Sequence, residues 1–400
     1  MKKIEGGLCA PQGFVAGAAM AAVKYEDKYD VAIISSRVDS KVAGMFTTNR
    51  IQAAPVIYSK QVVSRGAARA IVVNSGNANA CTGPKGMEDC QAMAEAAALT
   101  VGVDPEQVVV ASTGVIGVAM PMERVIQGVR EAGNNLSEDG AHQTALAMMT
   151  TDTFAKEVAV EFSLAGKLVR LGGAAKGSGM IHPNMATMLA FVTTDVEIEG
   201  SLLQKALKEA VVASFNMITV DGDTSTNDSV VVLANGLAGN KPICLEGEDF
   251  SLFALALQEV CIELAQLVAR DGEGATKFIE VKVTGAISLD AARRAAKGIA
   301  GSSLTKAAFY GEDANWGRII CALGYSIDDF EPEAVDIYLG SLPVAKGGAG
   351  LDFSEEEAKR ILMEKDIKVR VELNQGEFSA TAWGCDLSHE YVTINGSYRS

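Results

Sequence analysis

Short runs of apolar, often β-branched residues alternate along the chain with stretches whose apolar residues recur every three or four positions. The first pattern is typical of buried β-strands, and the second is typical of helices with one apolar face. The predicted strands cover residues 31–35, 70–74, 108–111, 157–162, 189–193, 230–233, 278–283, 367–373 and 378–383. The predicted helices cover residues 87–100, 121–132, 137–149 and 250–269, with two more that start from N-caps at Ser201 and Ser354.

Strands and helices are mixed throughout, but their order is not a regular β-α-β repeat. Several strands towards the C-terminus follow one another through turn sequences, and Asn-Gln-Gly at residues 374–376 predicts a hairpin. We therefore predict an α/β (α+β) fold, a layered sandwich with mixed sheets. Because 400 residues exceed the usual domain size of about 100–200, we also expect a second, smaller C-terminal lobe.

The composition narrows the class of protein. Hydrophobic residues make up 48% of the chain and charged residues 21%, which suits a globular protein in water. The net charge of −15 would repel phosphates, so nucleic acid is not an expected partner. No segment approaches the roughly 20 uninterrupted apolar residues that span a bilayer, and the start lacks a signal-peptide pattern. Seven cysteines without a C-x-x-C pair indicate reduced thiols and a cytoplasmic location.

Histidine is scarce. The chain has only His142, His182 and His389, and they form no cluster with the spacing of metal ligands. We therefore expect no metal site, and a Ser–His–Asp hydrolase has few histidines from which to be built.

The glycine-rich segment over residues 172–195 separates the end of one predicted strand from the start of the next. Glycines allow close backbone approach and positive φ angles, so such a loop can pack tightly. A phosphate-binding Walker loop needs Gly-Lys followed by Ser or Thr, whereas this chain has Lys176-Gly177-Ser178. Composition alone leaves a structural glycine turn as an open interpretation.

Five motifs carry a resemblance to a known family. They are Lys176-Gly-Ser-Gly-Met-Ile-His-Pro-Asn-Met-Ala-Thr-Met-Leu-Ala-Phe191, Ala111-Ser-Thr-Gly-Val-Ile-Gly117, Thr150-Thr-Asp-Thr153, Asp271-Gly-Glu-Gly-Ala-Thr-Lys277 and Asn395-Gly-Ser-Tyr-Arg-Ser400. In sequence and order they resemble the glutamate N-acetyltransferase (ornithine acetyltransferase) family, and the similarity extends over essentially the whole chain. The resemblance implies an α/β sandwich with N-terminal-nucleophile-like self-processing and an α2β2 heterotetramer.

The resemblance also implies a cut between Ala186 and Thr187. Residues 1–186 would form the α chain and residues 187–400 the β chain. Within the β chain, we expect residues 187–280 to complete the catalytic core, residues 281–390 to form the second lobe, and residues 391–400 to return to the active site.

Self-cleavage would solve a chemical problem, because a threonine hydroxyl is a poor nucleophile until a base removes its proton. A cut before Thr187 exposes the α-amino group of that residue, whose ordinary pKa of about 7.7–8.0 suits a base near neutral pH. The new amine and the hydroxyl then belong to one residue, so the shortage of histidines is no obstacle.

The remaining site residues are those that the resemblance implies. Thr113 and Gly114 would form the oxyanion hole, at the small turn after the predicted strand 108–111. The implied substrate contacts are Thr153, Lys176, Thr187, Glu273, Asn395 and Ser400. We expect Lys176 to face a substrate carboxylate and Glu273 to face the amines of ornithine, although either could equally be a solvated surface charge.

The implied reaction belongs to arginine biosynthesis. Thr187 takes the acetyl group of N2-acetylornithine, ornithine leaves, and the amine of glutamate then attacks the acetyl-threonine ester. This ping-pong route needs no cofactor, and acetyl-CoA is a further possible acetyl donor.

Three alternatives stay open from the sequence. A related self-processing aminopeptidase or amidohydrolase would use water as the acceptor, and an acetyltransferase could serve a specialised pathway instead. Asp221 and Asp223 follow an apolar run in Ile218-Thr-Val-Asp-Gly-Asp-Thr-Ser225, which also resembles the motif of aspartyl-phosphate phosphatases.

Overall fold

The structure, a computed structural model, describes residues 1–182 and 188–397. It divides into two compact units. The first comprises Met1–Gly177, Pro183–Asn216 and Thr224–Val268, and the smaller second comprises Ser178–His182, Met217–Asp223 and Ala269–Ser400. The long segment of the second unit begins at Ala269, whereas the sequence suggested a second lobe from residue 281.

The strands and helices are numbered here in chain order. The strands are β1 (Lys2–Lys3), β2 (Phe14–Ala19), β3 (Val31–Phe46), β4 (Ala67–Asn74), β5 (Val108–Ser112), β6 (Lys156–Leu164), β7 (Lys167–Lys176), β8 (Leu189–Thr194), β9 (Ile218–Thr219), β10 (Ser229–Ala234), β11 (Phe278–Ala286), β12 (Asp336–Leu339), β13 (Leu342–Lys346), β14 (Ala349–Gly350), β15 (Asp366–Glu372) and β16 (Phe378–Cys385). The α-helices are α1 (Ala54–Ser64), α2 (Gly83–Val101), α3 (Met122–Asn134), α4 (Ala141–Met148), α5 (Gly200–Ala213), α6 (Glu248–Arg270), α7 (Leu289–Gly301), α8 (Ser303–Tyr310), α9 (Trp316–Ser326), α10 (Glu355–Leu362) and α11 (His389–Gly396). Every predicted strand is present, and most extend beyond the predicted bounds.

The first unit is built on a nine-stranded sheet with the order β1-β6-β7-β8-β10-β3-β4-β5, in which β2 pairs with β3. The pairs β4–β5 and β8–β10 are parallel, whereas β3–β4, β6–β7 and β7–β8 are antiparallel. The prediction of an α/β fold with mixed sheets is therefore confirmed.

The apolar runs of this sheet are buried on both faces. Val31 and Ile33 belong to a core that includes residues of α2 and α3, whereas Ala32 and Ile34 belong to a second core that includes residues of α4. Successive side chains of a strand point to opposite faces, so a strand covered on both sides needs an unbroken apolar sequence. This is why the strands were visible in the sequence.

Helix α6 is the most apolar long helix of the described chain, and its length and composition would allow it to cross a membrane. Its buried residues recur with helical spacing at Phe253, Leu257, Val260 and Leu264, and half of its most apolar window is buried within the protein. A core helix with one buried face meets the same criterion. The prediction of a buried or amphipathic helix over residues 250–269 agrees with this pattern.

The second unit contains a seven-stranded sheet with the order β14-β13-β12-β15-β11-β16-β9, and α7 packs against β11 and β16. The predicted hairpin at residues 374–376 is wrong, because β11 lies between β15 and β16 and pairs with both of them. The turn residues instead form hydrogen bonds to β11: the N–H groups of Gln375 and Gly376 both donate to the carbonyl of Gly285.

Two predicted helix starts have different outcomes. Ser354 is the N-cap of α10, and its side chain accepts a hydrogen bond from the N–H of Glu357, as predicted. The predicted cap at Ser201 is wrong, because α5 begins at Gly200 with Glu199 at the N-cap. The physical reason is a tertiary contact: the N–H of Glu199 donates to the carbonyl of Ile243, which fixes the chain just before the helix.

Candidate active site

The glycine-rich segment connects two paired strands of the first unit. β7 and β8 are antiparallel neighbours, and their register places Lys176 opposite Leu189. The segment that begins at Gly177 therefore returns to the same sheet two residues after Thr187. The predicted cleavage residues Ala186 and Thr187 themselves lie outside the described residues.

Lys176 ends β7 with its side chain almost fully buried. Its Nζ donates hydrogen bonds to the hydroxyl oxygens of Thr150, at 2.8 Å, and Thr113, at 3.3 Å. The Asp152 carboxylate lies 3.9 Å from the same Nζ. The structure thus brings together Lys176 and Thr113, two of the predicted site residues, and adds two partners that were not singled out from the sequence.

Asp152 is a buried carboxylate at the centre of this group. It accepts hydrogen bonds from Lys156 Nζ at 2.8 Å, from the N–H of Gly177 at 2.7 Å and from the N–H of Thr150 at 2.9 Å. Burial alone would raise the pKa of Asp152, but the charges of Lys176 and Lys156 and these hydrogen bonds hold it well below its usual range. Asp152 is therefore ionised at neutral pH and stabilises both ammonium groups.

A third lysine adds positive charge nearby. Lys28 donates from its Nζ to the carbonyl of Thr150 at 3.1 Å. Burial lowers the pKa of Lys28, and the neighbouring charge of Lys176 lowers it further, whereas Asp152 raises it. Three lysines thus lie around Asp152, and the buried carboxyl of Asp228 also interacts electrostatically with Lys176.

The turn after β5 places Thr113 and Gly114. Thr113 donates its N–H to the carbonyl of Asn74 at 3.0 Å, which leaves its hydroxyl, rather than its N–H, for an oxyanion. Because the hydroxyl oxygen accepts from Lys176, its proton points away from Lys176 and can be donated elsewhere. Gly114 has φ +136°, and a Cβ there would lie 2.3 Å from the carbonyl carbon of Gly76, so no other residue fits.

Asn227 fixes the strand that leads into this turn. Its side-chain amide, almost fully buried, donates to the carbonyl of Ser112 at 2.8 Å and to that of Ala78 at 2.6 Å. The amide thus ties the residue before Thr113 to the start of β10. No local pattern in the sequence marks Asn227, because both of its partners are more than 100 residues away.

Glu273 and Asn395 form a pair within the second unit. Asn395 donates from Nδ2 to a carboxylate oxygen of Glu273 at 2.7 Å, and Glu273 is only 6% exposed. The N–H of Glu273 donates to the carbonyl of Ser178, and a Cβ on Gly179 would come within 2.2 Å of the Glu273 carboxylate. The interpretation of Glu273 as a solvated surface charge is therefore wrong.

The remaining predicted contacts give less information. Thr153 directly follows Asp152 and is exposed. Ser400 lies outside the described residues.

The three histidines are spread over different places in the described chain. Exposed His142 forms a 2.7 Å contact with Glu157, and His389 stacks edge-on against Tyr310. His182 forms a 2.9 Å hydrogen bond with Thr219. Burial and the charge of Lys297 lower the pKa of His182 to about 4, so it is neutral at pH 7 and a weak base.

Comparisons with known proteins identify the family. The model of the ArgJ family matches residues 15–400. The arginine biosynthesis bifunctional protein ArgJ of Symbiobacterium thermophilum is 54% identical over 402 residues, which cover 100% of both chains. That of Caldanaerobacter subterraneus is 51% identical over 404 residues, again 100% of both.

The chain belongs to the ArgJ family.

A solved structure agrees with this membership. The arginine biosynthesis bifunctional protein ArgJ of Bacillus halodurans is 52% identical, with a TM-score of 0.52, and the match covers 53% of this chain and 100% of that chain. The resemblance to the family is thus confirmed.

The phosphatase alternative finds no support in the geometry of this ArgJ chain. Both carboxylate oxygens of Asp221 accept backbone hydrogen bonds, from Met180 and Ile181, whereas a phosphoryl acceptor needs a free oxygen. Among residues 1–182 and 188–397, no group of three or more His, Cys, Asp or Glu side chains is placed to hold a metal ion.

Proposed function

We propose that this chain transfers an acetyl group from N2-acetylornithine to glutamate, after it cuts itself between Ala186 and Thr187. The ArgJ family match over residues 15–400 carries the proposal, because it makes the chain an acyltransferase of arginine biosynthesis. The relatives are named bifunctional, which supports acetyl-CoA as a second acetyl donor to glutamate.

The cut proceeds by an acyl shift followed by hydrolysis. The Thr187 hydroxyl attacks the Ala186 carbonyl carbon, the C–N bond breaks, and the hydroxyl proton passes to the Thr187 nitrogen. The resulting ester joins Ala186 to the Thr187 oxygen. Water then cleaves the ester, which releases the Ala186 carboxylate and leaves Thr187 with a free hydroxyl and a free α-amino group.

The new α-amino group then serves as the base of the transferase reaction. It takes the Thr187 hydroxyl proton as the oxygen attacks the acetyl carbonyl of N2-acetylornithine, and it returns a proton to the departing amine of ornithine. The amine of glutamate next attacks the acetyl-threonine ester and regenerates Thr187. Neutral His182, hydrogen-bonded to Thr219, is not needed as a base.

The other site residues bind the substrate or stabilise the oxyanion. Lys176 binds the substrate carboxylate through its buried ammonium, which lies near the charge of Lys28. The Thr113 hydroxyl, with its proton directed away from Lys176, donates to the oxyanion. Glu273, held by Asn395, binds the side-chain amine of ornithine. Thr153 and Ser400 are proposed substrate contacts from the family resemblance.

The length of a solved relative supports the cut. The full chain of the Bacillus halodurans structure matches 53% of this chain. Residues 187–400 number 214 of the 400, which is about the same share. We further propose that the two fragments assemble as a cytoplasmic α2β2 heterotetramer.

A denaturing gel with N-terminal sequencing tests the cut. Scaling the 41.8 kDa chain by length predicts fragments of about 19 and 22 kDa, the larger of which starts Thr-Met-Leu. An intact 400-residue chain with full activity would contradict the mechanism. Incubation with N2-acetylornithine alone should release about one ornithine per active site, because ornithine leaves when Thr187 is acetylated. Continued release should require glutamate, and continued release without glutamate would indicate water as the acceptor.

Replacing Thr113 with Val tests the oxyanion role. Loss of the hydroxyl donor should lower kcat about 10²–10³-fold and change KM little. Thr150→Val is the matched control, because it also removes a hydroxyl that accepts from Lys176. We expect the control to change KM a few-fold and spare kcat. Equal losses of kcat in the two variants would show that Thr113 acts only by holding Lys176.

A further inference from the structure

The loop before the proposed cleavage site is held by the carboxylate of Asp221. This residue follows β9 in the second unit, and the loop is Ser178–His182 of the same unit. The N–H of Met180 donates to one Asp221 oxygen at 2.5 Å, and the N–H of Ile181 donates to the other at 2.8 Å. The hydroxyl of Tyr391 donates to the first oxygen at 3.2 Å.

Two successive N–H groups converge on one carboxylate because Met180 adopts a left-handed conformation, with φ +57°. Adjacent residues of opposite handedness turn their N–H groups to the same side and form a concave anion-binding site. A methionine rarely adopts this conformation, so it persists only where surrounding contacts hold it. Asp221 supplies those contacts.

Further hydrogen bonds fix the rest of the loop Ser178–His182. The N–H of Val220 donates to the carbonyl of Ile181 at 2.6 Å, and His182 is bonded to Thr219. Ser178 donates from its hydroxyl to the carbonyl of Asp271 at 2.6 Å. The described part of the loop is therefore held by hydrogen bonds up to His182.

Tyr391 supports the carboxylate from helix α11. Burial and the charge of Asp221 raise the pKa of Tyr391, so its hydroxyl keeps its proton and remains a donor. Asn395, one turn later, binds Glu273, so α11 contacts the loop region at two points.

We propose that Asp221 is a positioning residue for self-cleavage, because it holds the backbone that leads into the Ala186 carbonyl. The inference rests on the proposed cut between Ala186 and Thr187. Intramolecular attack is steeply sensitive to the placement of the reacting atoms, and a shift of about 1 Å can cost 10²-fold in rate. A loop released at Met180 and Ile181 would present the carbonyl to the Thr187 hydroxyl less often.

The test is the rate of cleavage of newly made precursor. Full-length chains are labelled with a methionine pulse in cell-free translation, and the two fragments are followed on a denaturing gel. Asp221→Asn should slow cleavage at least 10-fold, because the amide replaces an acceptor oxygen with an N–H₂ group that faces backbone N–H donors. Asp223→Asn removes the same charge from an exposed residue of the same turn, and it should cleave within two-fold of the native chain.

Hydroxylamine separates the positioning role from a later defect, because it cleaves esters. If Asp221 acts before the acyl shift, hydroxylamine at neutral pH should release no fragment that begins with Thr187 from the Asp221→Asn precursor. N-terminal sequencing distinguishes that fragment from cleavage at the Asn–Gly bond that the substitution creates before Gly222. Rapid release would show that the ester forms normally, and would overturn the proposal. Tyr391→Phe removes one donor to Asp221 and should slow cleavage about two- to five-fold.

The outcomes distinguish this inference from the proposed function. If the native chain is never cut, the proposed function fails, and this inference fails with it. If the native chain is cut and Asp221→Asn is cut equally fast, only the role of Asp221 is overturned. If circular dichroism shows that Asp221→Asn does not fold, Tyr391→Phe becomes the deciding variant. Cleavage of Tyr391→Phe at the native rate would then overturn the positioning role of Asp221.

Discussion

Thr187→Ala is expected to yield a single uncut chain with no measurable acetyl transfer. The variant lacks the hydroxyl that attacks the Ala186 carbonyl, so the acyl shift cannot begin. Without the cut, the α-amino group remains part of a peptide bond and cannot act as a base. Removal of a nucleophile that acts together with its base typically costs about 10⁴–10⁶-fold in kcat, and here both are lost together. Gel electrophoresis and release of ornithine measure the two effects on one sample.

Thr187→Ser provides the matched control, because it keeps the hydroxyl and the new amine and loses only the methyl group. We expect this variant to cut itself and to retain acetyl transfer at a reduced rate. A Thr187→Ala chain that still yields 19 and 22 kDa fragments would show that another group performs the cut. A Thr187→Ala chain that stays whole but transfers acetyl groups would separate the cleavage from the transferase reaction.

Asp152→Asn is expected to have the largest effect on stability. The side chains of Asp152 and Lys156 are both 0% exposed, so the variant leaves a buried ammonium without its carboxylate. Breaking a buried ion pair by removing one partner costs about 3–5 kcal/mol. Lys176 also loses its nearest carboxylate, so KM should rise as well. Urea unfolding followed by far-UV circular dichroism measures the change in stability.

The loss of stability caused by Asp152→Asn should become smaller at low pH. The folded-state pKa of Asp152 lies below that of the unfolded chain, about 3.9. Its stabilisation is complete above that value and is lost as the pH falls through the lower folded-state pKa. The difference in stability between the native chain and Asp152→Asn should therefore be constant near neutral pH and shrink below about pH 4.

Two controls fix the interpretation. Glu246→Gln removes the same charge from an exposed pair with Lys205, and it should leave the stability nearly unchanged because solvent screens that pair. Adding Lys156→Met to Asp152→Asn removes the buried ammonium as well and should recover part of the loss. If the single and double variants were equally unstable, the cost would come from the hydrogen bonds to Gly177 and Thr150 rather than from the ion pair.

The sequence was informative about elements with strong local patterns. The strands of the first unit were visible because burial on both faces requires unbroken apolar runs, as in β3 and β4. Helix α7, whose buried face consists mainly of alanines, was not predicted. The false hairpin at residues 374–376 has a different cause. The turn residues fit, but strand pairing is set by β11, which lies about 90 residues earlier in the chain.

The contacts within the candidate site could not be predicted from local sequence patterns either. Lys176 and Thr113 were named through family motifs, but their contact follows from the positions of β5 and β7 in the first unit. Asp152 lies within one of the family motifs, but nothing local shows that it is buried between two lysines. The sequence around Asp221 resembles a phosphatase motif, which the backbone hydrogen bonds to its carboxylate do not support. Its role depends on the left-handed Met180, which sequence patterns do not predict.

The strand order of the first unit has a consequence for the timing of the proposed cut. β8 and β10 belong to residues 187–400, yet they lie between β7 and β3, which belong to residues 1–186. Neither product contains every strand of this sheet, so neither could assemble the first unit alone. Folding must therefore precede the break. Once separated by denaturant, the fragments should refold only as a concentration-dependent bimolecular reaction, whereas the uncut chain refolds at a rate independent of dilution.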